Sequence, residues 1–281
     1  MSAAVKRPLR FTKMHGIGND FVMVDARQQP FDLDAAEIRR LGDRHFGVGF
    51  DQLLTIEPAS EADCAFRYGI YNTDGSTARQ CGNGVRCAAA WLNRAGVLAP
   101  GVTRLQSPSG PVNVELLADG EVRVDMGAPR FAPADIPFLA DEEAPSYRLD
   151  VVGHRVDLGA VSMGNPHAVI VVDDVPLAHV TSLGPQVEMH PDFPDRCNVG
   201  FVQIVSREAV RLRVWERGVG ETLACGTGAC AAMTVLRRRG LVDDRVAVTL
   251  PGGALTIEWP GDGVVWMTGP TQFVFEGEWA R

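Results

Sequence analysis

The segment RYGIYNTDGSTARQCGNGVRCAAAWLNR, beginning at Arg67, aligns without a gap on RLRVWERGVGETLACGTGACAAMTVLRR, beginning at Arg211, an offset of 144 residues. Arg67, Cys81, Gly82, Gly84, Ala88, Leu92 and Arg94 are identical between the two copies. Looser echoes pair Val48-Gly49-Phe50-Asp51-Gln52 with Val199-Gly200-Phe201-Val202-Gln203, and Gly18-Asn19 with Gly164-Asn165. A repeat of this kind constrains the fold more than any other feature of the chain. It calls for two similar halves, each built around one copy of the unit.

Most of each half reads as short strands, among them FVMVD, FRYGIYN, VNVELLADGEVRVDM, HAVIVVDD, NVGFVQIVS and VAVTL, with turns at Asp119-Gly120 and Pro251-Gly252-Gly253. Alanine-rich segments from Gly82 to Arg94 and from Gly226 to Arg239 read as helices, and Asp34 to Arg40 as a shorter one. The proline-rich, acidic segment FAPADIPFLADEEAPSY, from Phe131 to Tyr147, separates the halves. The expected class is α+β: two pseudo-symmetric domains, each a mainly antiparallel sheet or barrel wrapped around a central helix. They would be residues 1–130, carrying Cys81 and completed by 271–281, and residues 131–270, carrying Cys225. On this reading the two cysteines stand in equivalent positions and face each other across a shared cleft.

Composition narrows the partner. With 46% hydrophobic residues over 281 positions the chain can bury a sizeable core. A net charge of −8 leaves no electrostatic footprint for nucleic acid. The N-terminus has no apolar segment behind its basic residues, and no apolar run reaches the roughly 20 residues of a spanning helix. The expected setting is the cytoplasm, where the six cysteines remain thiols. Lys6 and Lys13 are the only lysines, and neither lies in a context suited to a P-loop or to a Schiff base with pyridoxal phosphate. No G-x-S-x-G, HExxH or EF-hand pattern occurs, and Gly16-Ile17-Gly18 lacks the third glycine of a dinucleotide fingerprint. A small-molecule partner, with no cofactor and no metal, is what remains.

Each repeated cysteine comes just before a helix, where unpaired N–H groups and the positive end of the dipole concentrate. Such a position is expected to lower a thiol pKa from about 8.5 to between roughly 3.5 and 7.5. The flanking Gly82, Gly84, Gly226 and Gly228 would let a ligand approach the backbone, whose N–H groups can bind a carboxylate. A thiolate on one face of an α-carbon and a thiol on the other would invert that centre, and the reverse reaction would exchange their roles. Taken singly, a cysteine before Gly-x-Gly is an ordinary buried turn residue. Two at matched positions of a repeat point to function. Zinc held by Cys81, Cys87, Cys225 and Cys230 is disfavoured by spacings unlike C-x-x-C. Cys64, Cys87, Cys197 and Cys230 are read as core thiols.

Six blocks, MHGIGNDFVMVD, DQLL, YNTDGSTARQCGNGVRC, MGNPHAV, CNVGFVQ and WERGVGETLACGTGACA, together resemble the diaminopimelate epimerase family, in the family's order and over nearly the whole chain. The resemblance implies that family's fold and the interconversion of L,L- and meso-diaminopimelate for lysine and peptidoglycan synthesis. It also implies a homodimer, with the strand around Phe273 to Phe275 as a candidate contact. By the same resemblance Cys81 and Cys225 would be acid and base, while Gly82, Asn83, Gly226 and Thr227 would hold the reacting carboxylate. Asn19, Gln52, Asn72, Asn165, Asn198, Glu216 and Arg217 match binding positions, Arg217 being the natural bidentate partner of a distal carboxylate. His167 and Glu216 match positions that tune the thiols. Two rivals stand beside this reading. One is a proline or hydroxyproline racemase of the same fold, and the other a ligand-binding or thiol-redox protein that oxidises Cys81 and Cys225 to a disulfide.

Overall fold

The computed structural model describes residues 7–78, 81–151 and 153–281, so that Lys6, Arg79, Gln80 and the N-terminal residues read above lie outside the described residues. The chain divides into two compact units, residues 1–124 with 270–281, and residues 125–269. In the first unit the strands are β1 (Leu9–Gly16), β2 (Asn19–Asp25), β3 (Gln52–Glu57), β4 (Phe66–Asn72), β5 (Gly101–Ser107), β6 (Gly110–Leu116) and β7 (Val122–Asp125). The second contains β8 (Tyr147–Val151), β9 (His154–Ser162), β10 (Pro166–Val171), β11 (Asn198–Ser206), β12 (Ala209–Glu216), β13 (Gly220–Thr222), β14 (Arg245–Leu250), β15 (Gly253–Glu258) and β16 (Trp266–Gly269). The final strand, β17 (Gln272–Trp279), returns to the first unit and pairs antiparallel with β1.

Both units share one pairing scheme. In the first, the order is β17-β1-β2-β3-β4-β5-β6-β7, antiparallel except at the parallel joins of β2 with β3 and of β4 with β5. In the second, β8-β9-β10-β11-β12-β14-β15-β16 repeats this, with parallel joins of β10 to β11 and of β12 to β14. A parallel join requires a crossover, and helices supply all four. They are α1 (Ala35–Gly42), α2 (Gly82–Arg94), α3 (Val180–Glu188) and α4 (Gly226–Arg238). The architecture is thus two pseudo-symmetric halves of mostly antiparallel sheet, each with a helix in its middle.

Burial separates the inner helices from the outer ones. In α2 every residue from Gly82 to Leu92 except Trp91 is buried, and in α4 every residue from Gly226 to Leu236 except Thr227. A helix buried all round belongs inside a core, and alanine on several faces lets the strands approach. Gly159 on β9 shows how closely: a β-carbon there would come 2.3 Å from Val235 on α4. The outer helices each build a separate apolar layer. Ile38 and Leu41 of α1 pack with Leu9, Val22, Val24, Phe50 and Leu53, while Val180 and Val187 of α3 pack with Ile170, Phe193, Cys197 and Phe201. Strands beneath both kinds of helix are therefore buried on both faces, as in Phe21 to Val24 and Leu53 to Ile56, whereas β14 alternates exposed and buried residues.

Three expectations change. The echo of Val48–Gln52 with Val199–Gln203 is out of register, because Val199 to Gln203 lie inside β11 whereas Val48 to Asp51 precede β3. The structural counterpart of Gln52 is Asn198, each opening the second strand of a parallel join. The helix α3 was not expected at all, since Gly184 and Pro185 depress helix propensity. Gly184 is needed there, for a β-carbon would come 2.7 Å from the Trp215 ring. Finally, the segment from Phe131 to Tyr147 has a definite place: Ile136 and Phe138 are buried in the second unit, with Phe138 against Tyr147 and Phe193 at centroid distances of 4.7 and 4.6 Å.

Candidate active site

The pairing scheme gathers the candidate residues of each unit at one end of its sheet. In the first unit, β2 begins at Asn19, β3 begins at Gln52 and β4 ends at Asn72, directly opposite Gln52. Cys81 then caps α2. In the second unit, Asn165 precedes β10, β11 begins at Asn198, β12 ends at Glu216 and Cys225 caps α4. The strand starts follow tight turns closed by Gly18 and Gly164, at φ +90° and +88°, a conformation that glycine adopts without steric cost.

Around Cys81 the contacts are polar and local. Its sulfur accepts from the Gly84 N–H at 3.4 Å and donates to Asn19 Oδ1 at 3.6 Å. Asn83 Nδ2 donates to the same Asn19 oxygen at 3.2 Å. Gln52 Nε2 donates to Asn72 Oδ1 at 3.1 Å, and Asn72 Nδ2 to Ser76 Oγ at 3.0 Å. Beneath Asn19, Asp20 is paired with Lys13 at 2.6 Å and Arg44 at 2.7 Å. Burial raises the Asp20 carboxyl, but the hydrogen bonds and charges of Arg44 and Lys13 prevail and hold it at about 2. Because this lies below the ordinary value of 3.8, Asp20 contributes stability in full above about pH 4 and loses it as pH falls towards about 2. Melting curves between pH 5 and pH 2 are expected to fall less steeply in Asp20→Asn than in the parent.

Cys225 is only 4% exposed. Its thiol is pushed well above the ordinary range, first by burial and then by the Glu216 carboxylate, which accepts its proton in a hydrogen bond; donation from Thr227 and the Gly228 N–H only partly offsets this. The expectation of a lowered pKa at the helix start is thus overturned for Cys225. Desolvation and a neighbouring anion outweigh the helix dipole. Thr227 Oγ1 lies 3.7 Å from the sulfur, and Thr222 Oγ1 donates to Glu216 at 2.5 Å. The second glycine of each motif clears room for the cysteine itself. A β-carbon on Gly228 would sit 3.1 Å from Cys225 Sγ, and one on Gly84 3.4 Å from Cys81 Cβ.

His167 is buried beside Asn165, whose Oδ1 is 3.0 Å from Nε2. Burial first, and the charge of Arg217 second, push the imidazole down to about 3, so it is neutral, and a proton on Nε2 satisfies the asparagine oxygen. Asn198 donates to Pro166 O at 3.1 Å and accepts the Arg217 N–H at 3.0 Å. Arg217 Nη1 donates to Asp195 O at 2.9 Å, and the side chain is otherwise on an exposed turn. Cys64, Cys87, Cys197 and Cys230 are buried, Cys197 donating to Val187 O at 3.6 Å.

Two carboxylates at these sites escaped sequence reading. Asp51, next to the recognised Gln52, accepts Asn19 Nδ2 at 2.8 Å. Glu188, the last residue of α3 and 5% exposed, accepts Trp215 Nε1 at 2.7 Å and the Gly218 N–H at 2.8 Å, gripping both ends of the turn that carries Glu216 and Arg217. Its one signal in the sequence is an acidic residue in an apolar context, which periodicity alone does not distinguish from a surface charge.

The family model for diaminopimelate epimerase matches residues 11–132 and 159–274. Diaminopimelate epimerase of Stutzerimonas stutzeri is 53% identical over 271 residues, covering 96% of this chain and 98% of that protein. That of Chromobacterium violaceum is 54% identical over 271 residues, with the same coverage of 96% and 98%. Among solved structures, a hydroxyproline epimerase from Agrobacterium vitis superposes with a TM-score of 0.68 at 18% identity, covering 98% of this chain and 93% of that one. A PhzF-family phenazine biosynthesis protein from Bacillus anthracis gives 0.69 at 15% identity, covering 97% and 99%. At such identities these two report the shared fold alone.

Proposed function

The chain belongs to the diaminopimelate epimerase family, and from that premise we propose that it interconverts L,L- and meso-diaminopimelate, an isomerase needing no pyridoxal phosphate, with Cys81 and Cys225 as acid and base. The observation that carries the mechanism is the matched seat of the two cysteines. Each stands at the N-cap position of the buried central helix of its unit, Cys81 between the Gly84 N–H and Asn19 Oδ1, and Cys225 beside Thr227 Oγ1 and the Glu216 carboxylate.

The two acceptors differ: burial and the Glu216 carboxylate favour the protonated thiol at Cys225, whereas Cys81 meets the neutral Asn19 amide. In the direction in which Cys81 is the base, it acts as thiolate and Cys225 as thiol. The thiolate removes the α-proton from one face, the thiol delivers its proton to the other, and the sulfurs finish with their states exchanged; the reverse reaction uses the same steps. Negative charge building on the carboxylate is met by the backbone N–H groups of Gly82, Asn83, Gly226 and Thr227 at the helix starts. Arg217, with Asn19, Gln52, Asn72, Asn165 and Asn198, supplies recognition for the distal amino-acid end, and neutral His167 orders Asn165. In the cell the product feeds lysine and peptidoglycan precursors, and six free thiols suit the cytoplasm. No helix among the described residues is long and apolar enough to cross a membrane.

Proton NMR in D2O under reductant tests the substrate directly. The α-proton of L,L-diaminopimelate is expected to exchange, and that of L-proline to persist. Exchange in proline alone would move the chain to the racemase reading, and exchange in neither would overturn catalysis. We further propose a homodimer through β17, whose Val274 and Phe275 are 53% and 48% exposed on a strand paired only with β1 among the described residues. Phe275→Glu is expected to sediment at half the parent mass.

A further inference from the structure

We propose that Asp51 is a positioning residue for Cys81: its carboxylate holds the Asn19 side-chain amide with the oxygen, rather than the nitrogen, against the sulfur. An ionised carboxylate only accepts hydrogen bonds. The Asn19 side-chain atom 2.8 Å from Asp51 Oδ2 must therefore be the NH2 group. The Asp20 N–H donates to that same oxygen at 3.1 Å, and Arg44 Nη2 donates to Asp51 Oδ1 at 2.8 Å, which holds the carboxylate in place. In turn, the Asp51 N–H donates to Asp20 Oδ1 at 2.9 Å, so the loop before β3 and the start of β2 are laced together. With its nitrogen committed, Asn19 has one orientation left. Its oxygen accepts from Cys81 at 3.6 Å and from Asn83 Nδ2 at 3.2 Å.

The consequence lies at the sulfur. Cys81 has a donor, the Gly84 N–H at 3.4 Å, on one side and an acceptor, Asn19 Oδ1, on the other. The first favours the thiolate and the second the thiol, a balance suited to a group that must act as acid in one direction and base in the other. Without Asp51 the amide is free to turn over. Its NH2 group would then meet the sulfur, the acceptor would become a second donor, and the thiolate would gain. The bearing on turnover rests on the catalytic reading of Cys81, but the orientation of Asn19 does not.

The test therefore reads the thiol without substrate. Iodoacetamide alkylation of Cys81 at pH 7, quantified on the Cys81 peptide by mass spectrometry, is followed in the parent, Asp51→Ala, Asn19→Ala and the double variant. Alkylation tracks the thiolate fraction. Exchanging one hydrogen bond at a partly exposed group is expected to accelerate it about two- to tenfold in Asp51→Ala. In the Asn19→Ala background, Asp51→Ala is expected to add nothing. Asp51→Asn offers an oxygen to the two donors Asn19 Nδ2 and Asp20 N–H while the half-exposed Arg44 swings away, so it is expected to keep the parent rate. An unchanged rate in Asp51→Ala, or an acceleration that persists undiminished without the Asn19 side chain, would overturn the proposal. Asp51 and Arg44 are 44% and 54% exposed, so the substitutions leave the core intact.

Discussion

Cys81→Ala and Cys225→Ala are each expected to lower kcat/KM for L,L-diaminopimelate by about 10³- to 10⁴-fold, the usual worth of a positioned acid or base. The double variant should be hardly worse than either single one, because both thiols serve one step and their losses are not additive. Neither change should unfold the protein: each removes one sulfur atom next to solvent-reachable polar groups, a far smaller excavation than loss of a large core side chain. A sharper outcome concerns exchange without inversion. The remaining cysteine can still remove and return a proton on its own face, so each variant is expected to exchange the α-proton of one stereoisomer only, and the two variants should choose opposite isomers. Full inversion by either variant would refute the two-base mechanism. Exchange of both isomers by one variant would mean that a single thiol reaches both faces. Glu216→Gln, which removes the proton acceptor of Cys225 but keeps its hydrogen-bonding shape, belongs on the same plot, between the parent and Cys225→Ala.

What could be read in the sequence follows from how local each signal is. The repeat around Cys81 and Cys225 is contiguous, so it identified two equivalent central helices and the two capping thiols, and the alanine content of residues 82–94 and 226–239 marked them as helical. Strand existence was legible wherever one face alternates. Strand neighbours were not, because no residue of β2 or β3 announces that their join is parallel; the signal is only a run such as Phe21 to Val24 buried on both faces, equally compatible with other buried positions. The echo of Val48 with Val199 misled for the same reason, a chance likeness of apolar spacing across strands that start at different points. Similarly, Gly184 and Pro185 hid α3, whose existence depends on packing against Trp215 rather than on propensity. Site residues were legible as motif members, yet their partners were not. Nothing near Cys225 in sequence reveals that burial and Glu216 together keep its thiol protonated, for that balance exists only once β12 and α4 are side by side.

Glu188 illustrates the point, and its removal should have the second largest effect. Glu188→Ala is expected to cost about 1–3 kcal/mol, because it takes the acceptor from two donors, the partly buried Trp215 Nε1 and the Gly218 N–H, the second of which can turn to water. The Arg196 guanidinium, 3.8 Å away and half exposed, can turn to water and adds little. Chemical denaturation followed through tryptophan fluorescence measures this loss. Activity should suffer more than stability. Trp215 and Gly218 bracket Glu216 and Arg217, so the carboxylate anchors the turn that presents the proton acceptor of Cys225 and the guanidinium offered to the distal carboxylate. Misplacement of such groups by about 1 Å is worth about 10²-fold in rate. Loss is therefore expected in both kcat and KM, the first through Glu216 and the second through Arg217. Glu188→Gln should recover only part of either, since its amide can accept from one donor but must point N–H at the other. If Glu188→Ala melts early yet keeps the parent kcat and KM at a temperature where it is fully folded, the carboxylate merely holds α3 to β12. If both constants move while Val248→Ala, a destabilised core control on β14 that pairs with Val210 at the other end of β12, keeps them, Glu188 governs the site through the turn it grips.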